Sequence, residues 1–308
     1  MNKNKQLANI ELISALLLWT VALGAVAAGH QGFRQYLYFF AWYPYLLFLD
    51  GLLGRIQGKS RLFSQPRETA KILFWSVTVW LVFEALNLGL KNWTYVGVAA
   101  NGLIRWPGYA LAFATVLPGV LLTAEVLAAW GLGRGRRGPP HRLNRWQPLS
   151  LLLGVACLIL PLVFPRYAFP LVWGAFLFLL DPFCDLLGGP SLIGRFLAGE
   201  RQEHYCLLAG GLLCGVWWES WNALATSRWL YTLPVLNYWK VFEMPLLGYL
   251  GFAPFALECA VMYNFLKLLD ERVFFSRRQR GSAALCQGIF WLVMFAALDA
   301  WTVSCYQP

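Results

Sequence analysis

The sequence predicts an all-α polytopic membrane protein of about nine transmembrane helices, built as two parallel four-helix repeats plus a C-terminal helix. Three observations predict it. Hydrophobic residues form 59% of the 308 and charged residues only 13%, with a mean hydropathy of +0.54, where soluble chains carry about 25% charge. Nine apolar stretches, near 10–28, 36–54, 69–90, 107–131, 148–164, 168–187, 205–225, 243–268 and 283–303, have the roughly 17 to 25 residues needed to cross the hydrocarbon core. A polar and aromatic stretch also occurs twice, as FEALNLGLKNWTY from Phe83 to Tyr95 and as WESWNALATSRWLY from Trp218 to Tyr231.

The first span follows Lys3 and Lys5 and ends in AVAAG, a pattern shared with cleavable signals. A retained helix is expected, because the span beginning at Pro148 takes the same place in the second half. Ungapped at an offset of 135, Asp50 falls on Asp185, Gly54 on Gly189, Glu68 on Glu203, Glu84 on Glu219 and Asn87 on Asn222. One further residue brings Trp93 and Tyr95 onto Trp229 and Tyr231, and Pro118 onto Pro254. Periodic self-similarity of this kind marks a duplication, and four intervening spans make the copies parallel. The expected organisation is a first repeat over 1–131, a basic linker over 132–147, a second repeat over 148–269, and a basic loop with the ninth helix over 270–308.

Charge sets the orientation. Basic residues gather in short loops: Arg55, Lys59, Arg61 and Arg67; Arg134, Arg136, Arg137, Arg142 and Arg145; Arg272, Arg277, Arg278 and Arg280. An N-terminus in the cytoplasm and a C-terminus outside leaves 19 of the 25 Lys and Arg inside, as the positive-inside rule requires of a bacterial inner membrane. The net charge of +10 therefore points to anionic membrane lipid as a partner. It does not point to nucleic acid, since no aromatic-basic recognition module surrounds it. Oligomeric state is not encoded in any of these features. Seven cysteines lie in the second half without a CxxC pair and read as small buried side chains. His30, His141 and His204 are scattered, so neither a metal nor a cofactor is called for.

Chemistry is expected where acids enter apolar spans, because an intramembrane carboxylate is costly unless it serves a site. Glu84 and Asn87, like Glu219 and Asn222, are three residues apart and share a helix face; they are the candidate catalytic groups. Asp50 and Asp185 end the second helix of each repeat on the inner side, too distant to join them. Trp217, Trp218 and Trp221 surround Glu219, and burial among indoles favours the neutral acid, able to donate a proton or a hydrogen bond. Candidate substrate-binding residues are Trp93, Tyr95, Trp218, Trp221, Trp229, Tyr231, Glu243 and Glu258. The alternative is architectural, with Glu219 and Asn222 bonded across the helices to Glu84 and Asn87. Each fourth helix carries two prolines, Pro107 and Pro118, then Pro245 and Pro254, which predicts a broken or kinked span. In DPFCD, Asp181 and Asp185 would repel on one face, and Pro182 between them predicts a local break. Asp299 is expected either to join the Glu219 site or to cap an interface.

The segments Trp229-Leu230-Tyr231 and Glu243-Met244-Pro245 resemble the lycopene cyclase domain of carotenoid biosynthesis. In that family Pro precedes paired Glu, and the repeat has three spans. The resemblance implies acid-initiated cyclisation of a polyene. Three functions are open at this stage: an enzyme using carboxylate acid/base chemistry on an isoprenoid or lipid-like substrate, a proton-coupled transporter of a small solute, and a structural or assembly protein of the membrane.

Overall fold

The structure is a computed structural model describing residues 3–58, 60–141, 145–235, 237–274, 276–303 and 306–307. Lys59 and Arg142, named above, lie outside them, as does Cys305, one of the seven cysteines. The helices are α1 (Lys3–Ala27), α2 (Gln31–Gln35), α3 (Leu37–Gln57), α4 (Pro66–Leu90), α5 (Gly102–Phe113), α6 (Val116–Ala129), α7 (Trp146–Val163), α8 (Pro165–Ala168), α9 (Val172–Leu186), α10 (Leu192–Leu197), α11 (Gln202–Leu224), α12 (Phe252–Leu268) and α13 (Arg277–Ala297). Short strands lie between them: β1 (Trp93–Val96), β2 (Val98–Ala99), β3 (Arg228–Tyr231), β4 (Lys240–Val241), β5 (Met244–Pro245) and β6 (Tyr306–Gln307).

Among the described residues, eight helical segments are long and apolar enough to cross a membrane: Asn4–Ala27, Leu37–Gln57, Pro66–Leu90, Gly102–Ala129, Trp146–Val163, Pro165–Leu186, Leu246–Val273 and Arg277–Thr302. The chain is thus an integral membrane protein. Helix α11 has the length, 23 residues, but Glu219, Asn222 and its surrounding polar groups make it less apolar. It packs between α6 and α12, while Tyr205, Leu212, Leu213, Val216, Trp217 and Leu224 stay exposed on its other side.

Matching helix pairs recur. Helix α1 packs on α3 and α7 on α9; α3 and α4 pack on α6, as α9 and α11 pack on α12. The α1–α3 contact is close because Gly51 and Gly54 present no side chain: a Cβ on Gly54 would stand 2.9 Å from that of Ala8. Small residues serve this purpose wherever lipid offers no hydrophobic drive between helices. Proline positions are matched by hydroxyls. Pro182 lies within an unbroken α9, contrary to the expected break, and Ser150 Oγ donates to the Phe178 carbonyl at 2.9 Å, one turn before it. The fourth span of the first half does break, between α5 and α6. Ser76 Oγ donates to the Phe113 carbonyl at 2.6 Å and accepts from Leu117 N at 2.9 Å, closing the gap. Its counterpart is interrupted too, by a 3-10 segment Leu246–Gly251 before α12. Both are sites where protein groups satisfy backbone that a straight helix would have paired.

The chain leaves α3 and α9 through the same turn. Asp50 accepts from Ser60 Oγ at 2.6 Å, Arg61 N at 2.7 Å and Leu62 N at 3.1 Å. Asp181 accepts from Ser191 Oγ at 2.6 Å, Leu192 N at 2.7 Å and Ile193 N at 2.8 Å. The counterpart of Asp50 is therefore Asp181, and the pairing with Asp185 is corrected. Asp185 instead accepts from Gln147 at 2.9 Å, so the two aspartates do not compete for one partner. Asp299 caps an interface: it takes Arg105 Nε at 2.8 Å and Nη2 at 2.6 Å, Trp106 Nε1 at 2.8 Å and Tyr109 OH at 3.0 Å, fastening the end of the last helix to α5.

Candidate functional site

The C-terminal ends of α4 and α11 carry two copies of one hydrogen-bonded unit. Helix α4 stops at Lys91, whose left-handed backbone (φ 53°) turns the chain back toward Asn87. Asn87 Oδ1 accepts from Asn92 N at 2.8 Å and Trp93 N at 3.3 Å, and its Nδ2 donates to the Trp93 carbonyl at 2.9 Å. In the second copy Asn222 Oδ1 accepts from Trp229 N at 2.9 Å and Nδ2 donates to the Trp229 carbonyl at 2.9 Å. A carboxamide has one acceptor oxygen and two donor hydrogens, which lets it stand in for a missing strand neighbour.

One turn earlier on each helix lies the glutamate. Glu84 Oε1 accepts from Trp80 Nε1 at 2.8 Å, Trp93 Nε1 at 3.1 Å and Tyr95 OH at 2.6 Å. Glu219 Oε1 accepts from Trp229 Nε1 at 3.3 Å and Tyr231 OH at 2.7 Å. Both glutamates are fully buried, and each leaves Oε2 without a partner. Burial first, and the adjacent carboxylate second, push the phenols of Tyr95 and Tyr231 well above their ordinary range, so both remain donors. Apart from Trp80 on α4 itself and Asn92 just ahead of β1, the partners of each Glu and Asn come from the strand that follows it. The expected bonding of Glu219 and Asn222 to Glu84 and Asn87 is replaced by closure within each copy.

The copies meet through their strands. β1 and β3 pair antiparallel with Trp93 opposite Tyr231, Thr94 opposite Leu230 and Tyr95 opposite Trp229. This register has a local two-fold axis through Thr94 and Leu230, and alternation along the ribbon puts Trp93, Tyr95, Trp229 and Tyr231 on one face. That face bounds a cavity of about 200 Å³. Trp80, Trp173, Trp218, Phe252 and Phe255 form other parts of its wall, and among the described residues the charged ones that line it are Arg105 and Arg228. The rings pack in tilted and edge contacts, such as Trp218 with Phe255 at 6.0 Å and Trp173 with Phe255 at 5.6 Å between centroids. Trp218 is further fixed by its Nε1 bond to Tyr38 OH at 2.9 Å.

Of the sequence-selected binding residues, Trp93, Tyr95, Trp218, Trp229 and Tyr231 line the cavity. Trp221 does not; it stacks on Trp217 at 5.5 Å and packs near Trp19. Glu243 stands 3.9 Å from Arg228. Glu258 is buried in α12, where Oε1 accepts from Phe176 N at 2.8 Å and Oε2 has no partner. Trp80, Trp173, Asn92 and Arg228 were not selected. Trp80 was legible, four residues before Glu84 and so on its face; Asn92 and Arg228 both immediately precede the Trp-x-Tyr segment. Among the described residues no group of three His, Cys, Asp or Glu comes together to hold a metal ion.

The two copies differ at one place with a steric cause. The residue equivalent to Trp80 is Gly215, and the Phe252 ring occupies the space where its side chain would stand. Glu84 therefore has three donors and Glu219 two. Fold and site together define an integral membrane protein with an aromatic-walled cavity bounded by a symmetric ribbon and backed by two buried carboxyl groups. Compared with protein-family models, curated proteins and solved structures, the chain matches none.

Proposed function

We propose that the protein is a membrane-embedded enzyme that holds an isoprenoid or other lipid-like substrate in the aromatic cavity and acts on it by acid/base chemistry through Glu219–Tyr231 and Glu84–Tyr95. The observation that carries this reading is the placement of the phenols. Each forms part of the cavity wall and touches a buried carboxyl oxygen, at 2.6 Å for Tyr95 and 2.7 Å for Tyr231. Once the carboxyl behind it is protonated and donates to the phenol oxygen, reversing the bond, a phenol so placed takes that proton as it passes its own to an apolar substrate, so the carboxyl group need not reach the substrate itself. The surrounding aromatic faces favour a developing cation, and the apolar wall excludes water. Acid-initiated cyclisation, as in the lycopene cyclase domain that the sequence resembles, is one reaction of this class. The topology that goes with this reading has nine spans in two parallel repeats, the N-terminus in the cytoplasm of a bacterial cell and the C-terminus outside.

Native mass spectra of the detergent-purified protein and of Glu219→Gln test it. The amide keeps an oxygen to accept from Tyr231 and removes the titratable proton, so the variant is expected to stay folded and to carry a different small molecule from the wild type. A wild type that never carries an apolar molecule would refute the reading. The interrupted fourth spans favour a second reading, a proton-coupled carrier. Uptake of the co-purified molecule into proteoliposomes under a pH gradient distinguishes it, since the enzyme gives no such flux.

A further inference from the structure

The cavity's polar groups are unequal in a way that specifies its ligand. Arg105 is 9% exposed in its side chain and is fully engaged: besides the two bonds to Asp299, its Nη1 donates to the carbonyls of Ala99 at 2.7 Å and Ala100 at 2.6 Å. Arg228 is different. Its nearest acid, Glu243, lies 3.9 Å away, beyond hydrogen-bond distance. A guanidinium offers five donors in a fork that fits carboxylate or phosphate oxygens. Among the described residues no carboxylate lines the cavity to receive them.

The ribbon's symmetry makes this end unique. The position preceding the Trp-x-Tyr segment is Arg228 in one copy and Asn92 in the other, and both residues line the cavity. Arg228 pairs with Val96 at one end of the ribbon, while Asn92 adjoins the other end. Four residues of extended chain separate them, about 13 Å at the usual rise per strand residue. One end of the otherwise aromatic cavity thus carries the Arg228 guanidinium, 38% exposed and 3.9 Å from Glu243, and the other end is uncharged.

We infer that the ligand is an amphiphile with an anionic head, a phosphate or carboxylate held by Arg228, and an apolar chain running beneath the ribbon toward Asn92. This rests on the proposed lipid-like substrate and narrows it from neutral hydrocarbons to anionic ones. Glu243 competes with the head for Arg228, so the charge pair opens when the ligand enters.

The test uses 12-bromododecyl phosphate and 12-bromododecanol, whose bromine quenches the indoles of Trp80, Trp93, Trp173, Trp218 and Trp229 on contact, added to the full chain in detergent. The phosphate is expected to give saturable quenching at a concentration at least about tenfold below the alcohol, a difference of about 1.4 kcal/mol. Arg228→Gln should bring the two midpoints together, and Arg228→Lys should keep part of the difference. Glu243→Gln should shift the phosphate midpoint lower and leave the alcohol unchanged, a result that does not depend on the Arg228 variants folding. Equal midpoints in the wild type would overturn the anionic head and leave the apolar cavity standing. Absence of saturable quenching by either probe would overturn the cavity reading itself. Displacement of the alkyl phosphate by an equal concentration of inorganic phosphate would overturn the amphiphile in favour of a free anion.

Discussion

Replacing Asn87 with alanine removes the group that joins α4 to β1. Its carboxamide serves three backbone partners, Asn92 N, Trp93 N and the Trp93 carbonyl, in a place where Asn87 and Asn92 are each 2% exposed. A buried backbone group left unmatched costs about 1–3 kcal/mol. With two of the three unmatched, the unit loses about 2–6 kcal/mol. The loss falls on local opening of the β1–β3 ribbon, so amide hydrogen exchange, followed by mass spectrometry on peptides covering 91–97 and 227–232, is the direct measurement. Tenfold per 1.4 kcal/mol makes the low end of this range about thirtyfold faster exchange. Asn87→Asp keeps the acceptor for both N–H groups and loses only the donor, so its exchange should accelerate less. If Asn87→Ala leaves exchange in both strands at the wild-type rate, the carboxamide does not hold the ribbon and the reasoning fails.

Three more expectations follow from particular contacts. Asp299→Asn leaves the largely buried Arg105 guanidinium without its counter-ion, a change that costs about 3–5 kcal/mol in such pairs; thermal melting in detergent should drop, and proteolysis between α12 and α13 should accelerate. Ser76→Ala opens the break between α5 and α6 and should cost about 1–3 kcal/mol, while a wild-type melting temperature would mean that water closes the break equally well. Gly211→Ala forces a methyl group onto the Phe252 carbonyl and should destabilise the α11–α12 contact. Gly281→Ala in α13 meets nothing within 4 Å and should stabilise by about 0.5–1 kcal/mol, so the two melting shifts should have opposite signs.

The helices were legible because a lipid-crossing segment must be long and apolar, and α1, α4, α7 and α13 state this in their composition alone. Helix α11 was legible for another reason, the repeat of Glu and Asn, since its own hydropathy is diluted by the groups that make the site. The repeat was misaligned at its inner end because an ungapped comparison matched acids by offset. Eight residues separate Ser60 from Glu68, whereas twelve separate Ser191 from Glu203, and α10 fills the difference. Placing Asp181 rather than Asp185 opposite Asp50 required the serine and the two backbone N–H groups that each one binds. The ribbon was hidden for a similar reason: four residues of alternating aromatics between helices look like an interfacial belt until a second strand is seen beside them. Trp93, Tyr95, Trp229 and Tyr231 were recognised as site residues, but that they bond Glu84 and Glu219 of their own copy follows from each strand folding back on its helix, which spacing alone does not show.

The two-fold through Thr94 and Leu230 has a consequence for how the chain is joined. A contact in which each half presents the same strand to the other is isologous, the geometry by which two identical subunits recognise each other. Here the two strands belong to one chain. The self-complementary surface belongs to each half already. Once a tether makes the pairing intramolecular, the two halves are free to diverge, as Trp80 and Gly215, or Asn92 and Arg228, have done. A cavity that two identical chains would have built with equal ends then has an arginine at one end and an asparagine at the other.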